Sequence, residues 1–468
     1  MVYSLGTGTT SDFIEAECAY LNLHDKRLNR RAKNILKTLQ NKLCSCIRRL
    51  FNESREARQA YDFFSNPKVS SEKLLSSHYC QTVERIKSSN SKYILALQDQ
   101  MYLNFTNHEA KIDLGKIGKT GDTIQYGIIQ HSVLCVNDVN EPMGLLDVNH
   151  FDYSDFDVSK HRDKRSLKNK ANIVWVSSLE RMRERLGNTD QRIITVADRE
   201  GDFYEFFHPL IQNNEEFVIR CQHDRKLGKH YKKENQKLRE YLKDIPFKGT
   251  MNIKIQDTKT REIKKVTLLL KASTIDIPVP KKFNQKETAK HNYTPIRLNV
   301  VMAYNEDYQW ILLTNLPIET ITQIKEVVKI YKSRWHIEDY HKVLKTGYQV
   351  DEIYLHSSKE AIKNLLVLAS ISGCRLYWLI YIGRTEVSVK ADKLFEEFEW
   401  KSLYVYFGEP IPKESPTIAQ AVLMIARLGG YKHSKHSSPP GIKSMWIGYQ
   451  QLSVAAQVYR NISIKTQA

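Results

Sequence analysis

Tyr331-Lys-Ser-Arg-Trp-His-Ile-Glu-Asp-Tyr-His-Lys-Val-Leu-Lys-Thr-Gly347 holds no proline and keeps glycine for its end. Its polar and apolar residues separate at a 3.6-residue period, which predicts a helix. At ~100° per residue, Tyr331, Arg334, Glu338 and Lys345 fall within an arc of ~60°, with Lys342 beside them. Ile337, Tyr340, Val343 and Leu344 take the opposite side. One face is thus expected to pack on a core while the other presents a single carboxylate among a tyrosine and three cations, a surface suited to a phosphate backbone next to a metal ion. The plainer alternative is a solvated face carrying an Arg334 to Glu338 i,i+4 pair.

Two acids upstream end short apolar runs of strand length. Tyr93-Ile-Leu-Ala-Leu-Gln98 is followed by Asp99, and Ile193-Ile-Thr-Val-Ala197 by Asp198. Functional groups of open α/β sheets sit beyond strand ends, so both aspartates are well placed. Strand-like runs at 124–136 and 143–148, with the turn Asn137-Asp-Val-Asn-Glu-Pro142 between them, suggest a meander opening a mixed sheet. A basic loop, His161 to Lys170, precedes a helix-like stretch from Ile173 to Leu186. Glu200, Asp202 and Asp147 are acidic decoys, and Asp198 has Arg199 as an alternative partner.

The chain has 468 residues, room for two or three domains. Its 71 Lys and Arg against 53 Asp and Glu favour a polyanionic partner, nucleic acid first, although a membrane surface would draw the same charge. From Asp25 to Arg49 the basic residues include Arg27, Arg30 and Arg31, while Leu28, Ala32, Ile35, Leu39 and Leu43 recur at helical spacing: an amphipathic helix with a basic outer face. Residues 220–265, beginning with Arg220, form a second basic stretch, and strand-like runs follow at 251–255, 265–272, 296–303 and 310–313. Seven scattered cysteines without a C-x-x-C pair indicate neither a disulfide framework nor zinc, and fit a reduced cytoplasm. The pairs His336 with His341 and His433 with His436 lack a fourth ligand for zinc. No secretory signal is read at the start, and Leu365 to Ile382, broken by Arg375, reads as a buried helix rather than a membrane span.

Tyr331-(2)-Arg334-(3)-Glu338-(6)-Lys345 resembles, without a gap, the Tyr-Arg-Glu-Lys signature of bacterial cut-and-paste transposases, in particular the insertion-sequence-four family, the group that includes the Tn-five transposase. Asp198-Arg-Glu-Gly-Asp202, Glu56-Ala-Arg-Gln-Ala-Tyr-Asp-Phe-Phe-Ser-Asn-Pro67, Ala426-Arg-Leu-Gly-Gly430 and Met445-Trp-Ile-Gly448 extend the resemblance over nearly the whole chain. Asp99-Gln-Met and Lys164-Arg-Ser166 depart from the family pattern. The resemblance implies an α/β fold with three parts. Residues 1–72 would be a helical DNA-binding domain and 73–385 an RNase H-like catalytic domain with a β-rich insertion at about 235–315. Residues 386–468 would form a helical C-terminal dimerisation domain, with Ala419 to Leu428 apolar enough for dimer contacts. It also implies Asp99, Asp198 and Glu338 as catalytic residues and ligands of Mg²⁺, with Mn²⁺ a possible substitute. Tyr331, Arg334, Lys342 and Lys345 would lie on DNA, and Trp310 would stack on a flipped base, its alternative being a core tryptophan on an alternating strand.

Chemistry agrees: in-line displacement at phosphorus needs an activated water or 3′-hydroxyl and a counter-charge for the leaving oxygen, which two ions ~3.5–4 Å apart on carboxylate oxygens supply. The expectation is therefore a cytoplasmic, nucleoid-associated homodimer acting on double-stranded DNA, at terminal inverted repeats and target, and not on membranes. It would nick, form and open a hairpin, and transfer strands. Rival readings are a nuclease that no longer joins strands, a non-catalytic transposase-derived DNA-binding protein, and a glycosidase built on a carboxylate pair.

Overall fold

The computed structural model describes residues 8–41, 50–51, 53–107, 113–156, 167–228, 236–256, 263–283, 285–352, 358–385, 388–432 and 439–467. Lys164-Arg-Ser166, most of the 161–170 loop, His433 and His436, Cys44 and Cys46 lie outside them, as do 229–235 and 257–262 of the second basic stretch.

Among the described residues the chain opens with the helices α1 (Thr10–Glu17), α2 (Lys26–Asn41), α3 (Ser54–Phe64) and α4 (Ser71–Ser88). α1 begins in a capping box in which Thr9 and Asp12 each satisfy the other's backbone N–H. α2 has the amphipathic pattern expected of it: Ala32, Ile35, Leu36 and Leu39 are buried, while Lys26, Arg27, Arg30 and Lys37 are exposed and Arg31 is half-buried.

The sheet starts with β1 (Ile94–Asn104), β2 (Lys116–Thr120), β3 (Thr123–Asn137) and β4 (Pro142–Phe151). Next come α5 (Ile173–Leu186), β5 (Ile193–Ala197), α6 (Tyr204–Gln212) and β6 (Glu216–Arg220). β3 lies antiparallel between β1 and β4, whereas β1, β5 and β6 run parallel. The resulting order β4-β3-β1-β5-β6, with helices on both faces, is that of an RNase H-like core. β1 runs on through Asn104, so Asp99 stands mid-strand and not at a strand end, a correction to the sequence reading. The apolar run stops at Leu97, but backbone pairing with β3 continues through Asn104↔Gly127, because a strand with one face toward solvent needs no unbroken apolar run.

The short helix α7 (Leu238–Asp244) leads to β7 (Phe247–Gln256) and β8 (Ile263–Ile277). Then follow α8 (Gln285–Lys290), β9 (Ile296–Tyr304) and β10 (Gln309–Thr314). These strands extend the core sheet instead of forming one of their own: β10 pairs with β6 at Leu312↔Arg220, and β9, β8 and β7 follow outward to give ten strands in all.

After α9 (Ile321–Lys332) and α10 (Trp335–Lys342), α11 (Lys359–Arg384) runs through the molecule. α11 is long and apolar enough to cross a membrane by composition, yet 94% of its most apolar window is buried within the chain. It packs on α2, α3, α4 and β4, and on two of the closing helices α12 (Glu397–Phe407), α13 (Ile418–Leu428) and α14 (Ile442–Gln467). Those two are α13 and α14. α13 spends its apolar face inside the chain: Ile418, Ala421, Val422, Met424, Ile425 and Leu428 are buried, and Gly429 and Gly448 let it approach α14 closely. Of Ala419 to Leu428, most apolar side chains are thus spent within the chain, while Gln420 and Arg427 stay exposed. Exposed apolar side chains stand instead on α14, at Val454, Val458 and Ile462, one helical face at i, i+4, i+8.

Candidate active site

The pairing of β1 with β5 ends at Gln98↔Ala197, so the next residue of each strand, Asp99 and Asp198, stand side by side. Both point to the face that carries Leu97, Met101 and Val196, against which α10 packs. Asp198 also caps the turn that follows it, accepting the Glu200 N–H at 2.8 Å.

The signature stretch is not one helix. Around Ser333 to Ile337 the backbone N–H groups reach back three residues, Arg334 to Tyr331 at 3.0 Å, His336 to Ser333 at 3.0 Å and Ile337 to Arg334 at 3.1 Å. This tight turn separates α9 from α10, and Val343–Gly347 then opens into a π-turn. A three-residue repeat rotates the chain further per residue than 3.6, so Tyr331 leaves the face it was expected to share with Glu338. Tyr331 is 1% exposed and lies edge-on to Trp310, ring centres 5.5 Å apart, with its hydroxyl unpartnered. Trp310 is buried as well, in the position of a core tryptophan. Neither side chain faces solvent here, which corrects the presentation expected of Tyr331.

Arg334, by contrast, is drawn into the site, its side chain only 7% exposed. Its guanidinium pairs with Glu338 through Nη2 and stands 3.7 Å from the Asp99 carboxylate through Nη1. The i,i+4 pair thus exists, but as a buried bridge between two carboxylates and not as a solvated face. Asp99 is pushed up to about 7 by burial first and the Asp198 charge second, against the pull of Arg334 and of the Gln100 N–H. Arg334 stays charged: burial opposes its charge, but Tyr331, Glu338 and Asp99 together hold it above the ordinary arginine range. Among the described residues no group of three or more His, Cys, Asp or Glu side chains is placed to hold a metal ion as these side chains stand. The cation between Asp99 and Glu338 is the guanidinium. The donor set is oxygen-only and carries more negative charge than one arginine offsets, the kind of set that suits a hard divalent ion.

The decoys have other work. Asp147 is buried under Arg181, Arg185 and Ser178. Asp202 accepts the Gln222 and His223 N–H groups at 2.6 and 2.8 Å and pairs with Arg225. Glu200 is pushed up to about 7 by burial and by Asp198. His336 bonds through Nδ1 to the Tyr377 hydroxyl at 2.6 Å, and burial lowers His336 to about 4 and His341 to about 3. Lys345 lies half-buried in the π-turn, and Lys342 is exposed and 3.1 Å from Asp339. Arg220, at the end of β6, donates to the Gln309 carbonyl at 3.4 Å; Arg27 pairs with Asp25 at 3.2 Å. The structure brings Asp99, Asp198, Glu338 and Arg334 together and leaves Arg27, Arg30 and Arg31 on α2.

Comparison with known families places a unit at each end of the chain. The transposase DNA-binding family matches residues 10–69, and the Tn5 transposase dimerisation domain matches residues 371–465. Together with the RNase H-like core between them, these matches support a transposase with a DNA-binding unit and a dimerisation unit. They support its membership of the Tn5-like, insertion-sequence-four family.

Proposed function

We propose that this transposase cuts DNA at terminal inverted repeats and joins the freed ends to target DNA, in a metal-dependent reaction at Asp99, Asp198 and Glu338. The reading is supported above all by one observation: two acids stand side by side on adjacent parallel strands, and a buried arginine bridges one of them, Asp99, to a third, Glu338, on the helix above. Asp99, Asp198 and Glu338 would hold Mg²⁺ or Mn²⁺, which when bound polarises the phosphate and supports an attacking water or 3′-hydroxyl. Asp99 and Asp198 fix the position of the phosphate by sitting on a rigid sheet, and Glu338 closes the site from α10. Arg334, once shared with phosphate oxygens, neutralises charge that builds on them. Lys345 and Lys342 follow the same helix axis and would meet neighbouring phosphates, as would Arg220 from β6 and Arg27, Arg30 and Arg31 from α2. Nicking, hairpin formation on the opposite strand, hairpin opening by water and strand transfer would then repeat one displacement with different nucleophiles. Tyr331 and Trp310 would serve a flipped base only if their buried pair opens. The exposed Val454, Val458 and Ile462 of α14 would meet the second protomer, and the protein would act in the cytoplasm, on the nucleoid.

The test is cleavage of DNA carrying the flanking inverted repeat, in Mg²⁺, by wild type and Glu338→Ala, with nick, hairpin and joined products resolved. Products from wild type alone support the reading. Tight binding with no product from either protein would favour a non-catalytic DNA-binding protein derived from a transposase.

A further inference from the structure

Asp99 and Asp198 stand just past the last backbone pair between β1 and β5, Gln98↔Ala197, so the strand ladder no longer sets the distance between them. Each carboxylate is held instead by a backbone N–H that follows it in the chain. Asp99 Oδ1 accepts the Gln100 N–H and Asp198 Oδ1 the Glu200 N–H, both at 2.8 Å. The side chains of those same two residues meet on the other face of the sheet, because alternation along the strand turns Gln100 away from Asp99. Trp175 of α5 fixes the orientation of the Gln100 amide there. An indole N–H can only donate, so the amide oxygen accepts from it at 2.9 Å and the amide nitrogen donates to Glu200 Oε2 at 3.3 Å. Trp175 is itself closely packed, 2% exposed and edge-on to His131 and Phe206 with ring centres 4.6 and 5.8 Å away.

We propose that Gln100 is a positioning residue for cleavage: with Glu200 and Trp175 it ties β1 to the turn after β5 and so fixes the spacing of the Asp99 and Asp198 carboxylates. The inference rests on the metal-dependent cleavage reading above. The tie takes over where backbone pairing stops. It joins the two residues whose N–H groups hold the carboxylates, so a shift at either end moves an acid. It also acts from behind, leaving the face that carries Asp99 free for an ion and a phosphate. Asp99-Gln-Met is where this chain departs from the family pattern at the first acid, so the tie belongs to this sequence. Carboxylates that hold two ions ~3.5–4 Å apart tolerate little error in their spacing, and a misplacement of ~1 Å in a catalytic group costs ~10²-fold in rate.

The experiment uses the full-length chain and two variants. Gln100→Leu keeps the size of the side chain and removes the amide. The double variant Gln100→Glu, Glu200→Gln exchanges the two groups, which rebuilds an amide to carboxylate bond with its ends reversed and still turns an acceptor oxygen toward the Trp175 indole. Partners behind metal ligands are typically worth 10- to 100-fold, so Gln100→Leu should weaken Mn²⁺ binding, read by calorimetry, by roughly that factor. Nicking of a repeat-bearing duplex should lose kcat to a similar extent with KM for the duplex unchanged, and the exchanged pair should keep both the Mn²⁺ affinity and the kcat of wild type. Wild-type affinity and kcat in Gln100→Leu would overturn the positioning role and leave the cleavage reading standing. So would an exchanged pair as impaired as Gln100→Leu, or a loss carried by KM instead of kcat. A wild type that neither binds Mn²⁺ nor nicks removes the cleavage reading, and the role of Gln100 falls with it.

Discussion

Two buried carboxylate sites in this chain face opposite ways electrostatically. Near the N-terminus Glu17 of α1 is sealed against α4, where it pairs with the His78 Nδ1 at 2.6 Å and with Arg85. The other ring nitrogen of His78 accepts the Leu145 N–H at 3.0 Å, which ties the helical unit to β4. Burial works against the charge of Glu17, but Arg85 and His78 outweigh it and hold the carboxyl at about 2. At the Asp99 site the sign is reversed: Asp99 and Glu338 share one guanidinium with the Asp198 carboxylate beside them, and Asp99 rises to about 7. A carboxylate kept for architecture is over-provided with partners; the cluster on β1, β5 and α10 is under-provided. The deficit marks a place where positive charge has still to arrive, and it separates function from framework more sharply than burial does.

The largest effect that would test this contrast is catalytic. Asp99→Asn or Asp198→Asn should lower cleavage of a repeat-bearing duplex more than ~10³-fold while end binding persists; a variant that still cuts removes that residue from the site. Stability should move in opposite directions at the two sites. Glu17→Gln leaves Arg85 without its counter-charge and should cost about 3 kcal/mol in urea unfolding at pH 7, whereas Asp99→Asn, measured in chelator at pH 8, should gain on the order of 2–4 kcal/mol. The pH windows follow from the signs. The Glu17 contribution is present above about 4.5 and lost as pH falls toward 2, so the Glu17→Gln penalty should shrink in acid. The Asp99 carboxyl is raised, so its contribution is present below about 3.8 and lost as pH rises through about 7, and the Asp99→Asn gain should shrink toward pH 4. A gain at Asp99 that does not depend on pH would break the comparison.

A smaller effect is expected from the ion itself. Mg²⁺ or Mn²⁺ at tenfold its dissociation constant should raise the unfolding free energy of wild type by about 1.4 kcal/mol and leave Asp99→Asn unmoved. Smallest of all, Lys345→Ala should lower the slope of log affinity against log salt by about 1, with no change at either carboxylate site.

The parts legible in the sequence were those specified by local pattern. The run Ile193 to Ala197 and the helix Ile173 to Leu186 are found where apolar periodicity put them. The two aspartates were readable because each follows such a run. Other features depended on contacts with no local mark. β1 outruns its apolar stretch because β3 supplies its hydrogen bonds. The break between α9 and α10 falls in a segment with no proline and no interior glycine; it is set by where Tyr331 packs, against Trp310 from β10. The partners of Glu17 lie 61 and 68 residues away, beyond the reach of any motif.

The position of β7 at the end of the strand order has a consequence for solubility. As the outermost of the described strands it pairs with β8 alone among them, and a free edge invites another chain to add itself. Lys248 and Lys254 stand exposed along it, and Lys264 and Lys265 along β8 beside it. A second chain laid against this edge would bring lysine against lysine. The basic stretch read from the sequence as a surface for a polyanion therefore also guards a ten-stranded sheet from growing an eleventh strand out of its neighbour.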